Sequence, residues 1–160
     1  MKIGIIVVSD SSAKGDRIST TQDLIQQLVA PLGEVLHVSI IPDEKIIIQN
    51  TMIDFCDNKL LDLVISTGGT GLSPRDVTPE ATREILTKEI PGFGEMMRMN
   101  TIQFTPLSIL SRATGGIRGK SLIVNLPGSP KAVKQCLESI LPVIPHALEV
   151  IRGEVNRCGG

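Results

Sequence analysis

Glycine and threonine are concentrated in one short run, Thr67-Gly68-Gly69-Thr70-Gly71, which directly follows an apolar segment. Glycines free the backbone for positive φ and leave its N–H groups open to an anion, and the threonine hydroxyls add further donors. The run is not a Walker P-loop, because no Gly-Lys-Ser/Thr follows, and it is not a GxGxxG fingerprint. A tight structural turn and a phosphate-binding loop both fit these residues, and the position after a strand favours phosphate.

Two aspartates stand near this glycine loop (residues 67–71) in the predicted topology. Asp43 follows Pro42 after the second predicted strand, and Asp76 comes shortly after the glycine loop, next to Arg75. Mg²⁺ in proteins takes one or two carboxylates plus substrate phosphates, so the pair suits a magnesium site. In the alternative interpretation, Asp76 caps a helix and Arg75 is its ion-pair partner. The pattern therefore favours Asp43 and Asp76 as metal-binding residues, with Arg75 meeting a phosphate.

Further polar candidates follow other strands. The proline turn, residues 125–130, has the sequence Asn-Leu-Pro-Gly-Ser-Pro and is either a plain turn or a rigid wall whose amides and Ser129 face a ligand at a helix N-terminus. Thr78-Pro79-Glu80 is a helix start with Thr78 as predicted N-cap. The full set of predicted substrate- and nucleotide-binding residues is Ser9, Asp10, Thr67, Gly68, Gly69, Thr70, Gly71, Arg75, Thr78, Glu80, Ser111, Asn125, Pro127, Gly128 and Ser129.

These residues are positioned by alternating strand and helix patterns. Short apolar runs predict strands at 3–8, 35–41, 61–66 and 121–126, and helical spacing predicts helices at 20–30, 44–58, 78–89, 93–104, 131–141 and 145–151. Residues 9–19 are predicted as a loop. Such alternation indicates an α/β fold with a mainly parallel sheet and helices on both faces. Ligands of these sheets bind outside the carboxyl ends of the strands, which is where the candidates fall.

Composition narrows the classes of function. The formal net charge is −1, which offers no long-range attraction for nucleic acid or an anionic membrane. The chain has no Trp or Tyr and three Phe, which disfavours flavin sites and platforms that stack single-stranded nucleic acid. Its three cysteines have no CxxC spacing, and no signal peptide is evident. We expect one cytoplasmic domain over residues 1–160 that binds neither nucleic acid nor membrane.

Six stretches taken together resemble the molybdopterin adenylyltransferase family, which includes the bacterial Mog-type enzymes and the G domains of gephyrin and of a plant fusion protein. They are TGGTG at 67–71, PRDVTPEAT at 74–82, PGFGE at 91–95, LSR at 110–112, GIRG at 116–119 and NLPGSP at 125–130. The resemblance implies a three-layer α/β/α domain with the molybdopterin-binding fold, usually trimeric. It also implies transfer of AMP from ATP to the phosphate of molybdopterin with a divalent cation.

The resemblance also suggests roles for individual residues. Asp43 and Asp76 match the acidic pair that the family ties to catalysis and metal, and both the glycine loop and the proline turn match its ligand-binding loops. The first loop keeps Gly15, Asp16 and Ser19 but lacks the aromatic residue and the Ser-Gly pair common there. A molybdenum-insertion protein is a possible partner. The alternatives are a non-catalytic molybdopterin-binding or scaffold domain and a competence-damage-type nucleotide-processing module.

Overall fold

A mostly parallel sheet forms the middle layer of the computed structural model, which describes residues 1–14 and 20–155. Its strands are β1 (Lys2–Val8), β2 (Glu34–Ile41), β3 (Leu63–Thr67), β4 (Lys88–Glu89), β5 (Gly115–Arg118) and β6 (Ser121–Leu126). Within these residues the strand order is β2-β1-β3-β6-β5-β4. Neighbours among β2, β1, β3 and β6 run parallel, whereas β5 is antiparallel to both β6 and β4.

Helices cover both faces of this sheet, as the alternating pattern predicts. They are α1 (Asp10–Ala13), α2 (Thr20–Val29), α3 (Lys45–Ile53), α4 (Thr78–Ile85), α5 (Pro91–Thr101), α6 (Pro130–Ile140) and α7 (Ile144–Arg152). One apolar core joins the sheet to α2, α5, α6 and α7, and a second joins its other face to α3 and α4. The predicted three-layer α/β/α architecture is confirmed. None of the described helices is long and apolar enough to cross a membrane.

Three predictions of secondary-structure elements are wrong. The helix predicted over 78–89 ends at Ile85, because the chain becomes extended and Lys88–Glu89 pairs with β5. Strand β5 itself was missed, since its Gly-Gly-Ile-Arg sequence has little apolar content; a side chain at Gly116 would collide with Leu86. The loop predicted after β1 contains the short helix α1. The family-like Gly15, Asp16 and Ser19 lie outside the described residues.

The register of the parallel strands brings their carboxyl ends to one level. Val8 of β1 pairs with Ile41 of β2, and Thr67 of β3 pairs with Val7 and with Leu126 of β6. The segments that follow these strands therefore start side by side at one edge of the sheet. They carry Ser9 and Asp10, Asp43, the glycine loop and the proline turn.

Candidate active site

A cavity of about 400 Å³ opens at this edge of the sheet. The predicted site residues that line it are Ser9, Asp43, Thr67, Gly68, Gly69, Asp76, Gly128 and Ser129. Ser12, Thr20 and Thr21 also line it and were not predicted individually. Thr20 begins α2, and hydroxyls at the start of a helix that follows a strand-end loop are the signal that would have found them. The cavity brings together residues from segments that are distant in the chain.

A second cavity of about 520 Å³ adjoins the first and shares Gly69, Asp76 and Gly128 with it. It contains the remaining glycine-loop residues and Ser111, together with the exposed apolar side chains of Leu72, Leu107 and Leu110. Pro127 lies in a smaller neighbouring cavity of about 200 Å³ with Arg98 and Thr101. The glycine loop thus stands between a polar depression and a more apolar one.

The backbone of the glycine loop uses its glycines unequally. Gly68 has φ +100° and Gly69 has φ +63°, whereas Gly71 has no positive φ. A Cβ at Gly68 would overlap the carbonyl oxygen of Val8, and one at Gly69 would press on the Thr78 hydroxyl and approach Asp43 Oδ1 at 3.1 Å. Because positive φ and close backbone approach favour glycine, Gly68 and Gly69 are required by the fold of the loop.

Asp43 and Asp10 bind each other's backbone. The Asp10 N–H donates to Asp43 Oδ2 at 2.9 Å, and the Asp43 N–H donates to Asp10 Oδ1 at 3.0 Å. Burial raises the pKa of Asp43, and the nearby negative charges of Asp10 and Asp76 raise it further. The hydrogen bond from the Asp10 N–H lowers this pKa but does not cancel the rise. The Asp43 N–H and the Arg75 guanidinium lower the pKa of Asp10. A cation beside Asp43 would therefore offset both the burial of this carboxylate and the negative charges near it.

Arg75 does not pair with Asp76 as the alternative interpretation of the sequence expects. Its Nη2 donates to Asp10 Oδ1 at 3.0 Å and Oδ2 at 2.9 Å, and its Nη1 donates to Glu44 Oε1 at 3.1 Å. Its guanidinium lies on the acidic rim beside Asp10, and the lining of the two main cavities does not include it. Contact with a phosphate would require Arg75 to exchange these partners.

Asp76 closes a local turn and does not cap α4. Its Oδ2 accepts the Ser73 N–H at 2.8 Å, and its own N–H donates to the Ser73 carbonyl oxygen at 2.9 Å. The N-cap position of α4 belongs to Val77, so the prediction that Thr78 is the N-cap is wrong. Thr78 is fully buried, and its hydroxyl has no hydrogen-bond partner among the described residues. It lies beneath Gly69 and supports the glycine loop from below.

Asn125 and Glu80 also lie behind the cavities. Asn125 is fully buried, and its Nδ2 donates to Ser66 Oγ at 2.8 Å and Thr82 Oγ1 at 2.9 Å. Glu80 is paired with the guanidinium of Arg112. These contacts put both predicted ligand-binding residues in the scaffold behind the loops.

The family of the chain follows from its similarity to known proteins. Residues 4–146 match the family described as a probable molybdopterin binding domain. The chain belongs to this family. The resemblance carried by the six sequence stretches is thereby confirmed.

Relatives of this family member share most of its length. It is 44% identical to the molybdopterin adenylyltransferase of Helicobacter pylori J99 over 94% of this chain and 88% of that protein. It is 42% identical to the molybdopterin adenylyltransferase of Escherichia coli K12 over 96% of this chain and 86% of the relative. The crystal structure of the molybdopterin biosynthesis enzyme MoaB from Thermus thermophilus has 46% identity and a TM-score of 0.90, covering 95% of this chain and 96% of that one.

The acids of this molybdopterin-binding domain fit a magnesium ion that is shared with a substrate. Asp43 and Asp76 line the same cavity, and the charge of Asp76 contributes to the raised pKa of Asp43. Within residues 1–14 and 20–155, no cluster of three or more His, Cys, Asp or Glu forms a complete metal cage. Mg²⁺ usually binds through one or two carboxylates, with water and substrate phosphates as the other ligands. The donor set matches that use.

Proposed function

We propose that this chain is a molybdopterin adenylyltransferase, which transfers AMP from ATP to the phosphate of molybdopterin and releases pyrophosphate. The observation that carries the proposal is the meeting of Asp43, Asp76, the glycine loop and the N-termini of α2 and α6 at one cavity. Helix N-termini and open loop amides favour phosphate, and paired carboxylates favour a divalent cation. The relatives named molybdopterin adenylyltransferase over most of the chain support the same activity.

The reaction needs no protein nucleophile. The terminal phosphate oxygen of molybdopterin attacks the α-phosphorus of ATP, a P–O bond forms, and the bond to the pyrophosphate oxygen breaks. The chain contributes positioning and charge stabilisation, as in other phosphoryl transfers. Ser129 is the N-cap of α6, and Gly128 and Ser129 line the cavity, so this helix begins at the cavity wall. Thr20 and Thr21 add hydroxyl donors at the start of α2.

Asp43 and Asp76 would hold the divalent cation, which we propose to be Mg²⁺. When bound, it would neutralise charge on the leaving pyrophosphate. With Asp76 nearby, a cation beside Asp43 would relieve the electrostatic cost that raises the pKa of Asp43. The proposed role of both carboxylates is thus to place phosphate oxygens at the boundary of the two cavities.

The two adjoining cavities suit two substrates. We assign the nucleotide phosphates to the polar cavity and the pterin to the cavity lined by Leu72, Leu107 and Ser111. The cavities share Gly69 and Asp76, which is where the α-phosphate and the attacking phosphate must meet. Close approach of two phosphates at this boundary requires the compact backbone of the glycine loop.

The proposed assembly is a homotrimer. Outside the cavity assigned to the pterin, large apolar side chains are exposed along residues 96–109, namely Met96, Met99, Ile102, Phe104 and Ile109. Apolar patches of this kind on a soluble domain commonly mark protein interfaces. Light scattering at micromolar concentration should give three times the chain mass, and a monomer would contradict the assignment. We further propose that the single domain works in the cytoplasm and delivers its product to a molybdenum-insertion protein.

Pyrophosphate release by purified protein tests the function. We expect release only when ATP, molybdopterin and Mg²⁺ are all present. Tight binding of molybdopterin without release would favour a scaffold domain. Release from a nucleotide without molybdopterin would favour a nucleotide-processing module of the competence-damage type.

A further inference from the structure

Arg112 binds both ends of the segment 71–76, which carries the Asp76 carboxylate. Its Nε donates to the Gly71 carbonyl oxygen at 2.8 Å, and its Nη2 donates to the Asp76 carbonyl oxygen at 2.6 Å. Its Nη1 pairs with the Glu80 carboxylate in the first turn of α4. Its backbone N–H donates to the Thr70 carbonyl oxygen at 3.0 Å. One residue therefore joins the glycine loop, Asp76 and the helix behind them.

The geometry of arginine suits this task. A guanidinium is planar, and its donors have fixed directions, so the Gly71 and Asp76 carbonyl oxygens are held at a set separation. Between these two points the chain turns, and the Asp76 carboxylate accepts the Ser73 N–H inside that turn. A shift of the turn would move the Asp76 carboxylate relative to Asp43, which lies on a different segment.

Arg112 acts from behind the cavities. Its side chain is 30% exposed, and each of its three side-chain nitrogens donates to a protein acceptor in the contacts above. The residues that line the two adjoining cavities include Asp76 and Gly71 but not Arg112. We propose that Arg112, oriented by Glu80, is a positioning residue that fixes the Asp76 carboxylate opposite Asp43 for the adenylyl transfer. This inference rests on the proposed function and adds a residue to its machinery.

Arg118 provides a matched control. Its guanidinium pairs with Asp57 at 2.6 Å and donates to the Ile85 carbonyl oxygen at 2.8 Å, and its side chain is 24% exposed. It therefore joins a carboxylate and a carbonyl oxygen much as Arg112 does, but at the far end of α4. A structural loss at Arg118 should lower the melting temperature without disturbing Asp76.

The experiment compares Arg112→Ala, Arg112→Lys and Arg118→Ala with the parent protein. Thermal unfolding is measured first, then kcat, the KM for ATP and the half-saturating Mg²⁺ concentration well below all melting temperatures. We expect Arg112→Ala to lower kcat about tenfold to hundredfold, since small misplacements at a reacting centre have effects of that order. The half-saturating Mg²⁺ concentration should rise, Arg112→Lys should be intermediate, and Arg118→Ala should keep the parent's kcat. Folded Arg112→Ala protein with the parent's kcat and Mg²⁺ dependence would overturn the proposal, as would an equal kcat loss in Arg118→Ala.

Two further measurements keep the proposal decidable. If Arg112→Ala does not fold, Glu80→Gln and Arg112→Lys are measured in its place. A lower kcat in these variants would support the proposal, and an unchanged kcat would contradict it. Calorimetric titration with Mn²⁺ and ATP does not depend on turnover. If the parent released no pyrophosphate, several-fold weaker Mn²⁺–ATP binding by Arg112→Lys than by Arg118→Ala would still support the positioning role. Equal affinities in the two variants, or no binding by the parent, would overturn it.

Discussion

Asp62 and Asp43 lie at opposite ends of the same parallel sheet and differ in what surrounds them. Asp62 precedes β3, accepts the Lys2 N–H at 2.6 Å and pairs with Arg152 at 2.8 Å. Partial burial alone would raise its pKa, but these partners hold the pKa of Asp62 below its ordinary value. Burial raises the pKa of Asp43, and the charges of Asp10 and Asp76 add to the effect.

The difference separates a structural end of the sheet from the proposed functional end. At the amino end the chain's own donors neutralise the Asp62 carboxylate, so its ionised form stabilises the fold. At the carboxyl end the ionised form of Asp43 is disfavoured, and in the proposed function a bound cation would offset this cost. Carboxylates with shifted pKa values that lie in a cleft are often catalytic or ligand-binding residues. The four predictions below test this contrast between the two ends.

The largest effect is expected from the carboxylates at the functional end. Asp76→Asn and Asp43→Asn should each lower turnover by about 10²–10³, the usual loss when one charge-stabilising contact is removed from a reacting centre. Asp62→Asn is the matched control and should keep the parent's turnover well below its melting temperature. The assay is pyrophosphate release at saturating ATP and molybdopterin. Near-normal turnover in both site variants would contradict the assignment.

The glycine loop should separate folding from binding within a few residues. Gly68→Ala adds a methyl group against the Val8 carbonyl oxygen at positive φ and should destabilise the fold by about 1–3 kcal/mol. Gly71→Ala has no such strain, but its Cβ would lie 2.9 Å from Asp76 Oδ2. We expect this variant to keep most of its stability and to bind ATP or molybdopterin more weakly. Unfolding curves and calorimetry measure the two effects; parent-like binding of both ligands by Gly71→Ala would show that this glycine serves only the turn.

At the structural end, Asp62→Asn should cost stability. Removal of the charge weakens the hydrogen bond from Lys2 and the ion pair with Arg152. The expected loss is about 1–2 kcal/mol, because hydrogen bonds to charged groups contribute about 1.5–3 kcal/mol and the neutral amide of asparagine keeps part of this. Denaturant unfolding at neutral pH measures the difference. A midpoint equal to that of the parent would mean that the pairing at this end is not a source of stability.

The smallest effect concerns pH, and its sign differs between the two acids. The folded pKa of Asp62 is lowered, so its stabilisation is complete above the ordinary value of 3.8 and is lost as pH falls through the folded value. The folded pKa of Asp43 is raised, so its destabilisation is absent below 3.8, grows as pH rises from there and is complete above the folded value.

Melting temperatures across a pH series would reveal these opposite signs. Relative to the parent, Asp43→Asn should be slightly more stable at about pH 7 and Asp62→Asn less stable, and both differences should shrink toward about pH 3. Differences of the same sign at neutral pH would remove the electrostatic contrast between the two ends of the sheet.

Most of the fold could be predicted from the sequence, because buried strands and amphipathic helices leave strong periodic patterns. The runs at 3–8 and 121–126 predicted β1 and β6 closely, and the Thr78-Pro79 start of α4 was placed within one residue. Strand β5 could not be predicted in this way. It depends on the tertiary pairing of Gly115–Arg118 with β6 and on the close approach of Leu86, which local sequence does not reveal.

The sequence predicted which segments lie at the candidate site, but it did not predict where every side chain of those segments lies. Residues directly after parallel strands must gather at one edge, which explains why Asp43 and Gly68 line one cavity. Asn125 is the last but one residue of β6, and the pleat turns its side chain into the buried network of Ser66 and Thr82. The role of Arg112 could not be predicted from the sequence, because its contacts with Gly71, Asp76 and Glu80 join residues that are distant in the chain.

We propose that AMP is transferred at the edge of the sheet where Asp43, Asp76 and the glycine loop lie together. ATP labelled with ³²P at the α-phosphate tests this most directly when it is incubated with molybdopterin, Mg²⁺ and the purified protein. We expect the α-label to appear on molybdopterin with the parent protein and with Asp62→Asn. The double variant Asp43→Asn, Asp76→Asn should transfer almost none. Retention of the label in ATP with the parent protein, or full transfer by the folded double variant, would contradict it.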